Sequence, residues 1–317
     1  MYELKYYNIH DLVKVETNLL NIIPNDFLVD NIDEPDIRIY VNYRPQEGFQ
    51  RIPLRGTLKF QGVSPITLYI KSPRYAFIKS LRPELTKIIL TLLEVILLRK
   101  GYSFLHAAAI SYKGSGVMLV AAPNTGKTFT TLYLASTLND KEYAVLADDM
   151  IIINEKAKAY SYPTPITLTY FHHKILRLKI PPQVKLNLFI RQWVSKALLG
   201  KVKGEVKISP RMVFPKLISS IEIDTIIFIE KGSPLVKSLD AKNALARLLT
   251  IGRMHRELLS ESILYYMSKA GITPDTFLSI QSKIYESIAK TANHLLIKAQ
   301  TPIDIANTIL NLLNKLI

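Results

Sequence analysis

The feature that most constrains this chain is a short transition near its middle. An apolar run, Val117–Ala121, passes directly into Ala122-Pro123-Asn124-Thr125-Gly126-Lys127-Thr128, and a helical pattern, Lys127–Leu138, follows at once. A buried strand that turns within a few residues into a helix N-terminus is the local form of a phosphate-binding loop. Gly126, Lys127 and Thr128 match the end of the G-x-x-x-x-G-K-[ST] pattern, while Ala121 stands at its first position. Inward backbone N–H groups and the helix dipole would hold phosphates there. Lys127 would reach the β- and γ-phosphates of ATP, and the Thr128 hydroxyl would ligate Mg2+. The competing reading of Gly-Lys-Thr is a plain helix start after a loop; the preceding strand and the acidic strand end about twenty residues on weigh against it.

That acidic end is Asp148-Asp149, which closes the apolar strand Tyr143–Ala147. A carboxylate so placed serves Mg2+ as a Walker B aspartate does, and a second can accept a proton from an attacking hydroxyl. The alternative is a turn between two strands, since Met150–Ile153 resumes the apolar run. His106 lies in Phe104–Tyr112, the run before the loop strand, joined to it by the Lys113-Gly114-Ser115-Gly116 turn of a β-hairpin. If those runs pair, its imidazole comes near the phosphates; otherwise it is a core or edge histidine.

Around this centre the pattern predicts an early β-rich region, with strands at Glu3–Tyr7, Phe27–Val29, Asp36–Tyr43, Thr57–Phe60 and Ile66–Ile70, and turns at Pro24, Pro35 and Pro53. A Leu-rich helix, Pro83–Arg99, follows. Its Leu85–Leu98 core contains Lys87 and Glu94 and is shorter than the roughly 18–20 apolar residues of a membrane span, so it reads as a buried helix. Beyond the acidic pair come a basic helical stretch at Val184–Leu199, a strand at Ile223–Ile229, and helices at Ala241–Leu249, at Arg256–Lys269 and from Thr273-Pro274. A strand at His294–Lys298 and a helix at Pro302–Leu316 finish the pattern. Strands outnumber helices too far for simple βαβ alternation, so the expected fold is α/β with a mixed sheet, divided into residues 1–81 and 82–317.

Composition bears on partners and compartment. The 317 residues include no cysteine, which removes disulfides and thiolate chemistry, and the first eleven residues lack the basic and apolar regions of a signal peptide. A cytoplasmic protein without a transmembrane segment is the expectation, and homo-oligomerisation is compatible with it. Net charge is +15, but residues 171–216 alone hold eleven Lys and Arg against Glu205, a local +10. Such a field suits an anionic partner: an acidic protein, a phosphorylated metabolite or a nucleic acid. Phe171, His172, His173, Phe189 and Trp193 interleave with these charges, as in nucleic-acid binding, whereas a solvated basic face is the plainer reading.

Taken in order, Leu105-His106-Ala107-Ala108-Ala109, the hairpin to Val117–Val120, residues 122–128 and Leu146-Ala147-Asp148-Asp149 resemble the HPr kinase/phosphatase-like P-loop group, whose core is shared with phosphoenolpyruvate carboxykinase. The resemblance covers His106 to Ile153. It implies a kinase using ATP and Mg2+, with Lys127 on the phosphates, Thr128 and Asp149 at the metal, Asp148 as the favoured base, and His106 beside the pair. No RG-x-G block follows the acidic pair, so the implied acceptor is a hydroxyl of a protein serine or a small metabolite rather than HPr itself. A nucleotide-dependent nucleic-acid-binding ATPase or switch is the alternative.

Overall fold

A computed structural model describes residues 3–19, 22–42, 50–54, 56–61, 65–71, 82–138, 142–198, 204–256, 268 and 273–316. Contacts divide the chain into two units, Met1–Ser103 with Arg253–Ile284, and Phe104–Gly252 with Tyr285–Ile317. The boundary expected at 81/82 therefore moves to 103/104, and a later segment rejoins the first unit.

The first unit carries a seven-stranded sheet, built from β1 (Lys5–Ile9), β2 (Val13–Thr17), β3 (Leu28–Val29), β4 (Ile37–Val41), β5 (Gln50–Leu54), β6 (Gly56–Gln61) and β7 (Ile66–Lys71), in the order β3-β1-β2-β4-β7-β6-β5. In β2 and β4 every second side chain is buried, and in β1 Tyr7 and Ile9 are, the period-2 signature of a strand with one covered face. Pro53 was expected to mark a turn. It lies in β5 instead, at the sheet edge, where a missing N–H removes no ladder bond.

Helix α1 (Arg82–Arg99) is covered along most of its length. Glu94 is fully buried in it, and accepts hydrogen bonds from Ser103 Oγ at 2.8 Å and Gln281 Nε2 at 3.4 Å. A buried carboxylate is tolerated only with such partners. Among the described residues no helix is long and apolar enough to cross a membrane.

The second unit is built on a mixed sheet, as expected. Its strands are β8 (Tyr102–Leu105, where the chain passes from one unit to the other), β9 (Ala107–Tyr112), β10 (Ser115–Ala121), β11 (Tyr143–Ala147), β12 (Ile151–Asn154), β13 (Lys158–Ser161), β16 (Ser220–Lys231), β17 (Leu235–Ser238) and β18 (Asn293–Ala299). A separate ribbon pairs β14 (Ile166–Thr169) with β15 (Glu205–Ile208). The main order is β11-β9-β10-β16-β13-β12-β8, and β18 lies against β16 and β17. β10, β16 and β18 run parallel, while β9 is antiparallel to both β10 and β11. The hairpin read from the sequence thus forms, Val117 opposite Ile110 and Val120 opposite Ala107.

Gly116 marks where β10 first meets β16. A Cβ there would stand 1.9 Å from the Glu222 carbonyl oxygen, so only glycine permits this approach. Its N–H donates to Asp224 Oδ2 at 2.9 Å as the register shifts.

Helices α2 (Lys127–Thr137) and α7 (Pro302–Leu316) pack together on the sheet, burying Phe129, Leu132, Ile305 and Ile309 with Leu119, Ile227 and Ile297. At about 25 cal/mol per Å² of apolar surface, each such side chain contributes on the order of 1.5–3 kcal/mol. Between them in sequence come α3 (Tyr170–Leu176), α4 (Pro182–Ala197), α5 (Ala241–Arg256) and α6 (Pro274–Thr291). Of the helix expected at Arg256–Lys269, all but its first residue and Ser268 lie outside the described residues.

Candidate nucleotide and phosphotransfer site

The candidate site lies at the carboxyl ends of the central strands, where an α/β sheet offers its crevice. β10 ends at Ala121, opposite Ile229 of β16, in extended backbone that any residue adopts. The alanine at the first Walker position is therefore no obstacle to the turn. Ala122, Pro123 and Asn124 are exposed, and Thr125 Oγ1 donates back to the Ala122 carbonyl at 2.7 Å, closing the loop on itself. Asn124 (φ 61°) and Gly126 (φ 112°) are left-handed, which turns the backbone into the helix.

Gly126 is the N-cap of α2, and no side chain caps that end. A Cβ at Gly126 would meet Pro302 Cβ at 3.0 Å, so α7 seals the loop from behind. Thr130 N–H donates to the Gly126 carbonyl at 2.9 Å, the first turn of α2.

Lys127 is the unusual group. Its side chain is only 7% exposed, and its Nζ is buried without a hydrogen-bond partner. Burial lowers its pKa, and the charges of Asp149 and Asp148 oppose that shift. A buried ammonium with no hydrogen-bond acceptor is costly unless an anion completes it. The nearest carboxylate is Asp149, with Oδ1 at 3.7 Å.

The two aspartates follow β11, and their surroundings differ. Asp148 is buried and its Oδ1 has no partner. Burial pushes its pKa up to about 6, against the pull of the Thr128 hydroxyl, Lys127 and the Thr131 hydroxyl. Asp149 is nearly half exposed and lies between His106 and Lys127, with His106 Nδ1 at 3.3 Å from its Oδ1.

His106 was expected inside a strand. It occupies the single-residue break between β8 and β9, and that break turns its ring toward Asp149. Burial and the charge of Lys127 lower its pKa, and the charge of Asp149 opposes that shift.

All the loop and acidic residues singled out in the sequence therefore meet here. Sequence reasoning missed Thr131, which faces Asp148 and donates to the Lys127 carbonyl at 3.1 Å, and Thr130, whose buried Oγ1 has no partner. Thr128 and Thr131, three residues apart and so on one face of the helix, were the available signal for the first, and a threonine within the apolar-periodic run for the second.

Among the described residues no cluster of three His, Asp or Glu side chains offers a closed metal cage. Magnesium needs none, because it keeps waters and binds through one or two protein oxygens with substrate phosphates. The Thr128 hydroxyl and the partnerless Asp148 Oδ1 fit that donor set.

The basic segment begins beside this site. The Phe129 ring, on the first turn of α2, lies 6.0 Å from Phe171 and 6.1 Å from His172, both on α3. Thr169 and His172 form a capping box that fixes the start of α3. Lys201 and Lys203 of the segment lie outside the described residues.

No family model and no curated protein matches the chain in sequence. In structure, the chain is similar to the HPr(Ser) kinase/phosphatase of Coxiella burnetii at 13% identity and a TM-score of 0.30, covering 68% of this chain and 98% of that one.

Proposed function

We propose that this protein is a P-loop kinase that transfers the γ-phosphoryl of ATP, with Mg2+, to a hydroxyl of a protein serine or a small metabolite. The observation that carries the reading is Lys127: a buried ammonium without a hydrogen-bond partner, on the first turn of a helix that no side chain caps, beside two carboxylates of unlike environment. A phosphate is the ligand that completes all of these at once.

In this reading Lys127 and the N–H groups from Asn124 to Thr128 bind the β- and γ-phosphates. Thr128 and the buried Asp148 would hold the metal, which would supply charge neutralisation at the phosphates. Asp149 is the accessible carboxylate, so it accepts the proton of the acceptor hydroxyl. The surroundings thus favour the opposite division of labour from the one expected, in which Asp148 was the base and Asp149 the metal ligand.

His106, with Nδ1 3.3 Å from Asp149 Oδ1, positions that carboxylate. Catalysis rests on positioning and charge: the bond from the γ-phosphorus to the acceptor oxygen forms as the bond from that phosphorus to the β–γ bridging oxygen breaks, ADP leaves, and the hydroxyl proton passes to Asp149.

The test is incubation with γ-labelled ATP and fractionated lysate, followed by identification of what carries the label. Acceptor-dependent loss of γ-phosphate is the expected result. Label released only as inorganic phosphate, whatever fraction is added, would return the site to a hydrolytic or switch role.

A further inference from the structure

Helix α4 has its polarity reversed. A surface helix normally turns its apolar stripe inward. In α4 the line facing the protein is Val184, Leu188, Gln192 and Ser195, of which only Leu188 is fully buried, and Gln192 and Ser195 stand against Gly204. The opposite face carries Leu186, Phe189, Ile190, Trp193 and Val194, all exposed, with Leu186 at 59% and Trp193 at 60%. Their spacing is that of one helical stripe, and it points to solvent. Phe189 stacks edge-on to Trp193 at 6.0 Å and to Tyr170 at 6.5 Å, so the patch continues onto α3, whose Phe171 and Ile175 are also exposed.

Cations border this stripe. Lys185 and Lys196 lie along one flank and Arg191 along the other, and Lys174, Arg177 and Lys179 precede the helix; all six are exposed. Residues 171–198 contain no Asp or Glu. Lys196 Nζ stands 5.9 Å from the Trp193 ring centre, and Arg191 donates to the Glu205 carbonyl at 3.1 Å.

We propose that α4 lies flat on an anionic lipid surface, its apolar stripe in the acyl boundary and its flanking lysines and arginines among the headgroups. Three occupants compete for an exposed apolar face of this size. A second copy would set six cations against six with no acid between them. A nucleic acid would use the charges and stack on Phe189 and Trp193, but Leu186, Ile190 and Val194 offer no stacking face and would remain in water. A lipid surface matches both layers: hydrocarbon for the stripe, and negative headgroups within reach of long basic side chains beside it. Trp and Phe beside Lys and Arg are the residues such an interface favours. This inference is independent of phosphotransfer chemistry and is tested without it.

Trp193 is the chain's one tryptophan, so its emission reports the stripe directly. The full chain is to be sedimented with phosphatidylcholine vesicles and with mixed phosphatidylcholine–phosphatidylglycerol vesicles, at low and high salt, while emission is recorded. The expected result is sedimentation with the mixed vesicles alone, a blue shift of Trp193, and loss of both at high salt. The Ile190→Asp/Val194→Asp variant, altered only at exposed positions, should lose both, as should Lys174→Glu/Lys185→Glu/Lys196→Glu, whose charges are equally exposed.

Unshifted emission with the mixed vesicles overturns the proposal, as does unchanged sedimentation of the Ile190→Asp/Val194→Asp variant. Equal binding to neutral vesicles removes the role given to charge. Salt-sensitive retention on RNA without vesicle binding assigns the face to nucleic acid. Self-association that Ile190→Asp/Val194→Asp abolishes, again without vesicle binding, assigns it to a second copy.

Discussion

His106 Nδ1 lies 3.3 Å from Asp149 Oδ1, across the break between two strands and the turn after a third. The two residues are 43 positions apart in sequence, and only the pairing of β9 with β11 brings them together. With His106 positioning Asp149, loss of the imidazole should weaken transfer but not ATP binding. His106→Ala is expected to lower kcat by ten- to a hundredfold with little change in KM for ATP, the pattern of a positioning residue. His106→Asn, which keeps an N–H near the same place, should recover part of that loss. A rise in KM for ATP with unchanged kcat would instead assign His106 to nucleotide binding.

Lys127 carries the sharper expectation. Lys127→Ala removes the buried charge that faces the phosphates, and should reduce transfer by at least a hundredfold, about 2.7 kcal/mol or more of transition-state stabilisation. It also removes a buried ammonium without a hydrogen-bond partner, so the folded protein should be no less stable, and calorimetry provides that control. A folded Lys127→Ala variant with wild-type turnover would end the phosphate-loop reading.

Much of this site was legible because its signals are local. The passage from Val117–Ala121 into Gly126-Lys127-Thr128 sets strand, turn and helix within a dozen residues, and the acidic pair ends a strand that is apolar throughout. What the sequence hid depends on distant packing. Pro53 reads as a turn unless one knows that β5 is an edge. Short strands such as Glu205–Ile208, inside a basic run, and Leu235–Ser238, wholly exposed, have no periodicity to find. β2 does alternate, and was passed over. Reversal of α4 is invisible in principle: an amphipathic pattern shows that a helix has two faces, but not which of them meets the protein. Glu94, in sequence an argument against a membrane span, is in space a buried group held by Ser103 and Gln281.

The loop's fit against α7 gives an independent handle. Gly126 has φ 112°, and an added Cβ would meet Pro302 Cβ at 3.0 Å. Gly126→Ala should therefore cost about 1–3 kcal/mol of stability through backbone strain. It should also weaken ATP binding, because the displaced turn no longer aims its N–H groups. Pro302→Gly in the same chain removes that Cβ with the rest of the ring but leaves the φ strain, so rescue should be partial. Denaturant titration of the single and double variants measures both parts. Full rescue would show that the contact alone mattered, and no rescue that the backbone did.

Asp148 ties the site to stability. Burial raises its carboxyl to about 6 in the folded protein from an ordinary 3.8. A raised carboxyl binds its proton more tightly folded than unfolded. The stability it contributes is therefore complete below about pH 4 and is lost as pH rises through about 6. At one pKa unit per 1.36 kcal/mol, the ionised carboxylate costs the unliganded fold about 3 kcal/mol at neutral pH. Asp148→Asn stays neutral, so it should be more stable than the wild type at pH 8 by about 2–3 kcal/mol and indistinguishable from it near pH 4. The activities should separate too. With Asp148 beside Thr128 at the metal, Asp148→Asn should need more Mg2+ and regain part of its rate as Mg2+ is raised. Asp149→Asn should bind Mg·ATP normally and fail at transfer at any Mg2+ concentration. Stability curves at several pH values, with Mg2+ titrations of the initial rate, test both halves. Magnesium rescue of Asp149→Asn instead would restore the opposite assignment, and equal mild losses in both would reduce the pair to a turn between strands.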